Sequence, residues 1–158
     1  MRRLIVTISL SAAALVGIVV SEGYTDRAVI PVPGDVPTIG FGTTEGVKMG
    51  ETTTPPKALA RALQDVGRYE GAVRQCVKVP LHQHEYDAYV SLAYNIGSRA
   101  FCSSTLARKL NEGDYPGACR EILRWDRFKG QPLRGLTIRR EREYRQCIGE
   151  AGSGGALQ

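Results

Sequence analysis

The sequence predicts an α+β fold: an N-terminal helix, then a small β-hairpin subdomain, then a larger helical bundle. Three observations predict it. Residues 23–50 are rich in Gly, Pro, Thr and Val, the texture of short strands joined by turns. From Thr54 onward apolar residues recur at helical spacing, punctuated by Gly and Pro. At 158 residues, 42% hydrophobic and 23% charged, the chain has one domain's length and an ordinary globular composition, which argues against whole-chain disorder or coiled coil.

The chain opens with Met1-Arg2-Arg3 and then runs without charge from Leu4 to Val20, 17 residues. At about 1.5 Å per residue such a helix covers roughly 26 Å of a ~30 Å bilayer core. Seven of those positions are small or hydroxylated (Thr7, Ser9, Ser11, Ala12, Ala13, Ala14, Gly17), so the segment is marginal as a membrane anchor. Two readings follow. One is a cleaved signal peptide with Ala12-Ala13-Ala14 as an A-x-A site. The other is an uncleaved segment that inserts and later leaves the bilayer; the apolar run continues past the site through Leu15, Val16, Ile18, Val19 and Val20, which favours it. The basic start places the N-terminus in the cytoplasm and the rest outside. Residues 1–20 are thus the signal or anchor segment, 21–149 the main domain and 150–158 a Gly/Ser/Ala tail, frayed at its end.

Within the main domain the β element covers about 24–50 and the helical lobe about 54–149. Ala28-Val29-Ile30 and Thr38-Ile39-Gly40-Phe41-Gly42 form short strands around the Pro31–Pro37 turn region. Thr54 caps a helix with Pro55 at its first position, and Leu59, Leu63, Val66, Tyr69 and Val73 recur along it. A second helix runs from about Gln83 to Ile96, with Tyr86, Val90 and Ala93 on one face and Gly97 as its stop. A third starts after Ser103 or Ser104, carries Leu106 and Leu110, and ends at Gly113. A fourth covers about 116–127 with Ala118, Ile122 and Trp125 inward, and the last about 136–148 with Ile138, Tyr144 and Ile148 inward.

Charge and cysteines narrow the compartment and the partner. The net charge of +5 is local: residues 120–145 hold nine Lys/Arg against four Asp/Glu. Arg139, Arg140, Arg142 and Arg145 read as a solvated helix face that steers the chain toward a polyanion. Export argues against nucleic acid and leaves anionic cell-wall polymer or lipid. Cys76, Cys102, Cys119 and Cys147 lack C-x-x-C spacing, so they suit two disulfides in an oxidising compartment. Of three possible connectivities, the sequential one, Cys76 with Cys102 and Cys119 with Cys147, is the expectation. No cofactor and no metal are expected: His82 and His84 have no third ligand nearby in sequence.

Residues with chemistry to offer cluster before Gly46. Glu22 follows the apolar segment directly after Ser21. At the C-terminal end of a packed helix, partial negative charge and low dielectric both disfavour ionisation, which suits a general acid. Asp35 and Thr38 sit on the Gly/Pro-rich hairpin, where a carboxylate and a hydroxyl together can hold one water. Acid on one side and water on the other is the layout of inverting glycoside hydrolysis. Glu22 as a mere solvated residue and Asp35 as a mere turn former in Pro-Gly-Asp is the competing reading.

Glu22-Gly23-Tyr24 followed by Thr38-Ile39-Gly40-Phe41-Gly42 strongly resembles the active-site stretch of the phage-type lysozymes, glycoside hydrolase family 24. The likeness continues through Val79-Pro80-Leu81, residues 87–97 (DAYVSLAYNIG), residues 104–111 (STLARKLN) and residues 135–141 (GLTIRRE). It covers most of the chain after Ser21, in order. With the weak N-terminal segment, the whole is similar to a signal-anchor-release endolysin of a double-stranded DNA phage or prophage. The resemblance implies a lysozyme-like fold and hydrolysis of the β-1,4 bond between N-acetylmuramic acid and N-acetylglucosamine in peptidoglycan. It implies Glu22 as general acid, Thr38 as water-positioning residue, and Tyr94, Asn95 and Arg139 as substrate-binding residues. A monomer acting on peptidoglycan is implied, held in the host inner membrane by residues 4–20 before release to the periplasm.

The family pattern places an Asp after eight intervening residues from the Glu, and five more before the Thr. Here those counts land on Pro31 and Val32, so the loop is one residue longer and neither position is acidic. Asp35 is the replacement candidate, with Asp26 the weaker one. The family's common His after the T-I-G-x-G run is replaced by Thr43. A lytic transglycosylase using Glu22 alone, and a non-catalytic, membrane-tethered wall-binding module, stand as alternatives. Trp125, the one tryptophan, reads as core or as sugar platform.

Overall fold

The computed structural model describes residues 1–150; of the expected tail only Glu150 falls within them, and 151–158 lie outside. The chain divides into two compact units: residues 1–14 together with the chain from Tyr69 onward, and residues Leu15–Arg68.

The smaller unit holds the end of helix α1 (Ala12–Glu22), strand β1 (Thr25–Val29), strand β2 (Thr38–Gly40) and the first part of helix α2 (Pro55–Cys76). β1 and β2 pair antiparallel, Thr25 with Gly40 and Val29 with Thr38, with a bulge between. The other edge of β1 is covered by residues 51–53: Ala28 N–H donates to Glu51 C=O at 3.0 Å, and Thr53 N–H to Asp26 C=O at 2.8 Å. That leaves the ladder no long free edge. Ala28, Ile39 and Val47 form its small core. α2 begins at Pro55, as the Thr54-Pro55 pair predicts, with Ala58 N–H bonded to Thr54 C=O at 2.8 Å. Its buried stripe there is Ala58, Ala62 and Val66: Val66 is inward as expected, whereas Ala58 and Ala62 take the places expected of Leu59 and Leu63. Leu59 and Leu63 are exposed, by 40% and 49%, because Gly40 of β2 comes so close that only a methyl side chain fits between.

The larger unit is helical: the end of α2, α3 (Gln83–Ile96), α4 (Ser98–Cys102), α5 (Thr105–Asn111), α6 (Tyr115–Glu121) extended by a 3-10 turn at Ile122–Arg124, and α7 (Arg134–Cys147). A two-residue hairpin, β3 (Arg127–Phe128) with β4 (Gln131–Pro132), precedes α7. α3 is its centre, buried on most sides from Glu85 to Tyr94, the two acidic residues Glu85 and Asp87 included. Its start is fixed by Glu85, whose carboxylate accepts the His82 N–H at 2.7 Å, and Gly97 stops it. Ser104 caps α5 by accepting Ala107 N–H at 3.1 Å, and Asp114 caps α6 by accepting Gly117 N–H at 2.9 Å. The disulfides join Cys76 to Cys102 and Cys119 to Cys147, the sequential connectivity.

Three expectations are corrected here. The fourth helix ends at Glu121 rather than near 127, and α4 and the β3–β4 hairpin were not anticipated. Ile138 and Ile148 are exposed, not inward, while Arg139, Arg140, Glu143 and Cys147 form the buried face of α7. Those two arginines are therefore not part of a solvated basic face. Glu143 makes their burial possible: its Oε1 accepts from Arg139 at 3.2 Å and its Oε2 from Arg140. A buried cation is tolerated only when a carboxylate compensates it.

The N-terminal residues are also part of this unit. Among the described residues no helix is long and apolar enough to cross a membrane; the run from Leu4 to Val20 is broken into a 3-10 turn at Ile5–Thr7 and α1. Arg3 and Leu81 exchange backbone hydrogen bonds at 2.7 and 2.9 Å. The Arg2 guanidinium donates to Glu85 at 2.8 and 3.1 Å. Ile8 joins the core of the unit, and its carbonyl accepts from Arg74 at 2.7 Å. Leu10 N–H donates to Glu70 at 2.7 Å, and the Ser11 hydroxyl donates to Asp87 at 2.6 Å while accepting Ala14 N–H at 3.1 Å as the cap of α1.

Candidate active site

In the smaller unit, Glu22 is the last residue of α1 and is half-buried. Its side chain lies along the backbone of Gly42. A Cβ built on Gly42 would stand 3.0 Å from Glu22 Oε2, 3.2 Å from Cγ and 3.3 Å from Cβ. Gly42 has φ +84°, a conformation that side chains rarely adopt. Gly40 (φ +65°) is under the same double constraint, since its Cβ would meet Ala58 Cβ at 2.8 Å. The two glycines of Thr38-Ile39-Gly40-Phe41-Gly42 are thus explained: one lets β2 approach α2, the other lets the turn approach Glu22.

The turn itself is closed by Ile39 and Thr43, which exchange backbone hydrogen bonds at 3.0 and 3.1 Å. Thr43 and Asp65 are both buried, and the Thr43 hydroxyl donates to Asp65 Oδ2 at 2.7 Å. The other carboxylate oxygen of Asp65 accepts from the Arg68 guanidinium. Burial pushes the Asp65 carboxyl above its ordinary range, opposed by the Thr43 hydrogen bond and by the charge of Arg61.

Asp35 is exposed, in a turn closed by its own N–H to Val32 C=O at 2.9 Å. Its Oδ1 accepts the Val36 N–H at 2.8 Å, and Thr38 Oγ1 donates to the Val36 carbonyl at 3.3 Å. Both side chains are therefore tied to the backbone of one residue. Asp26 is exposed on β1. Tyr24 and Phe41 pack ring to ring with centroids 5.2 Å apart.

In the larger unit Tyr94 is buried and its ring packs against Tyr69 at 5.1 Å. Asn95 is exposed, and its Oδ1 accepts from Arg140. Arg139 is in the buried pair with Glu143. Glu143 also accepts from the Ser91 hydroxyl at 2.7 Å, and Arg140 Nε donates to the Trp125 carbonyl at 3.0 Å. The charged network thus ends at the surface in Asn95. Trp125 packs on the core and also lines an open pocket of about 280 Å³ with Ser104, Thr105, Leu106, Glu121 and Arg124. The His82 and His84 rings stack at 5.1 Å, and His84 Nδ1 lies 3.0 Å from Cys147 C=O. Among the described residues no group of three or more His, Cys, Asp or Glu is placed to hold a metal.

Sequence reasoning missed Thr43 as a turn anchor, Asp65 as its partner, and Arg140 as the group that holds Asn95. Thr43 had one usable signal: it directly follows the T-I-G-F-G run. Asp65 had none, since spacing along a helix does not reveal which turn it will meet.

The family model described as phage lysozyme matches residues 20–143 of the chain. The SAR-endolysin of Pseudomonas phage phiKMV is 37% identical over 141 residues, 87% of each chain. Among solved structures, the endolysin from Escherichia coli O157:H7 phage FAHEc1 superposes with a TM-score of 0.78 at 32% identity, covering 94% of this chain and 97% of that one. The muramidase domain of SpmX from Asticaccaulis excentricus superposes with a TM-score of 0.81, also at 32% identity, over 89% of this chain and 98% of that one.

Proposed function

Because the chain belongs to the phage lysozyme family, we propose that it is an endolysin that cuts the β-1,4 bond between N-acetylmuramic acid and N-acetylglucosamine in peptidoglycan, for host cell lysis. The observation that carries this reading is Glu22 at the end of α1, held along the glycine turn of T-I-G-F-G. Glu22 delivers a proton to the glycosidic oxygen as the bond to the muramic acid anomeric carbon breaks. A water attacks that carbon, and a new reducing end forms. Asp35 and Thr38 hold the water in our reading: each uses one hydrogen bond on Val36, and Asp35 keeps a second oxygen to accept the water's proton. Asn95 is the sugar contact of the larger unit in our reading, because it is exposed while Tyr94 and Arg139 are buried.

For localisation, residues 4–20 insert in the host inner membrane with the N-terminus cytoplasmic, and release places the enzyme in the periplasm. The similarity to the SAR-endolysin of phage phiKMV supports this reading, while Ile8, Leu10 and Ser11 make their contacts in the folded unit. The same residues cannot be in lipid and in those contacts at once, so folding of the unit competes with insertion.

The test is Glu22→Gln, which keeps the shape and removes the proton. Reducing-end release from purified peptidoglycan should fall by at least about 100-fold, the usual range for a lost general acid. Undiminished release would remove Glu22 from the mechanism. Wild-type products ending in 1,6-anhydromuramic acid would instead show attack by the sugar's own hydroxyl, and a wild type that binds walls without cutting them would leave only the binding module.

A further inference from the structure

We propose that Thr43 and Asp65 are positioning residues for Glu22, acting through Gly42; the proposal rests on Glu22 being the acid. Three atoms of the Glu22 side chain, not its tip alone, lie at 3.0–3.3 Å from the place a Gly42 Cβ would occupy. The Gly42 backbone is therefore a wall along the whole side chain, and where that wall stands decides where the carboxyl points. The Ile39–Thr43 backbone pair gives the turn its shape. It does not fix the turn's distance from anything else.

That distance is set by the residue next to Gly42. The Thr43 side chain is turned inward, 4% exposed, and its hydroxyl is 2.7 Å from Asp65 Oδ2 on α2. Asp65 is 6% exposed and is itself held by Arg68 from one helical turn away. A carboxylate buried in this way costs stability unless it is hydrogen-bonded. A fully satisfied buried polar pair fixes one geometry where an apolar contact would allow several. The bond ties the turn to a helix at one defined point, a single residue from the wall on Glu22. Thr43 is short and stiff about χ1, so little slack lies between Asp65 and Gly42.

The variants are Thr43→Val, which keeps the volume and loses the donor, and Thr43→Ser, which keeps the donor. They are assayed as full-length chains on soluble, uncrosslinked glycan strands, with kcat and KM measured well below the melting temperature. Thr43→Val should lower kcat between about 10- and 100-fold, the range for a misplacement near 1 Å, with KM changed by less than about twofold. Thr43→Ser should recover kcat to within about threefold of wild type. Asp65→Asn, which keeps an acceptor, should retain kcat, and Asp65→Ala should lose it as Thr43→Val does; this pair decides if Thr43→Val does not fold. Thr43→Val with wild-type kcat, or Thr43→Ser as impaired as Thr43→Val, overturns the proposal. An inactive Glu22→Gln beside a fully active Thr43→Val overturns the positioning alone, whereas an active Glu22→Gln overturns the assignment of the acid.

Discussion

Replacing Gly42 by Ala adds one methyl group where the Glu22 side chain already stands. Two effects follow and they separate cleanly. The first is local: at φ +84° an L side chain costs about 1–2 kcal/mol. In a chain of this size that lowers the melting temperature by about 2–8 °C. The second is displacement of the acid. The new Cβ would lie 3.0, 3.2 and 3.3 Å from Oε2, Cγ and Cβ of Glu22, against about 3.5–4.0 Å for an ordinary carbon contact. All three atoms must give way by several tenths of an ångström, so the side chain swings as a whole. A shift of that order should cost about 10-fold in rate, against about 100-fold for a full 1 Å. Gly46→Ala is the control, because Gly46 also has a positive φ (+70°) but nothing lies within 4 Å of its Cβ position. Reducing-end release per folded molecule, with melting followed by circular dichroism, reads both effects. Gly46→Ala should melt earlier and cut normally; Gly42→Ala should melt earlier and cut poorly. Equal activity in the two variants would refute the claim that Gly42 is the wall against which Glu22 is aimed.

The remaining predictions concern the other ends of the molecule. Lys109, whose ammonium donates to Glu121 at 2.7 Å, holds that carboxyl below its usual range. A depressed folded-state value means stability present above the unfolded value and lost as pH falls through the folded one. In urea titrations the gap between wild type and Glu121→Gln should therefore be present near neutrality and close in strong acid; a gap that ignores pH sinks the assignment. Ala12 and Ala13 are exposed in the folded unit whereas Ala14 is buried, so replacing the first two by Leu leaves the fold intact. It favours the bilayer by about 1 kcal/mol. More of that variant should sediment with membranes and lysis should start later, and unchanged fractionation would count against release from an inserted state.

The elements with strong local signals were legible in the sequence. Thr54-Pro55, Ser104, Gly97 and Gly113 mark helix ends through backbone chemistry that acts within a few residues, and α2, α3 and α5 begin or stop there. The run around Glu22 and T-I-G-F-G was legible through its resemblance to the phage-type lysozymes. Its glycines answer to backbone demands that a sequence displays directly. The first turns of the buried face of α2 were not, although Val66 and Val73 are inward as expected. Leu59 and Ala58 are one residue apart, and only the close approach of Gly40 makes the smaller one the inward residue.

By itself, then, the sequence determined the helix ends that carry a strong local cap or stop, the α+β order of the elements, and that four cysteines are available to pair. Only the tertiary structure decided that Arg139 and Arg140 lie inside, because Glu143 lies one helical turn on and compensates both. Only it brought Asp65 to Thr43 and residues 1–11 to Glu70, Glu85 and Asp87. The physical reason is range. Capping, turn chemistry and periodicity are set by neighbours within about one helical turn. The compensation of a buried charge or hydroxyl is set by whichever distant group the folded chain happens to bring within hydrogen-bonding reach.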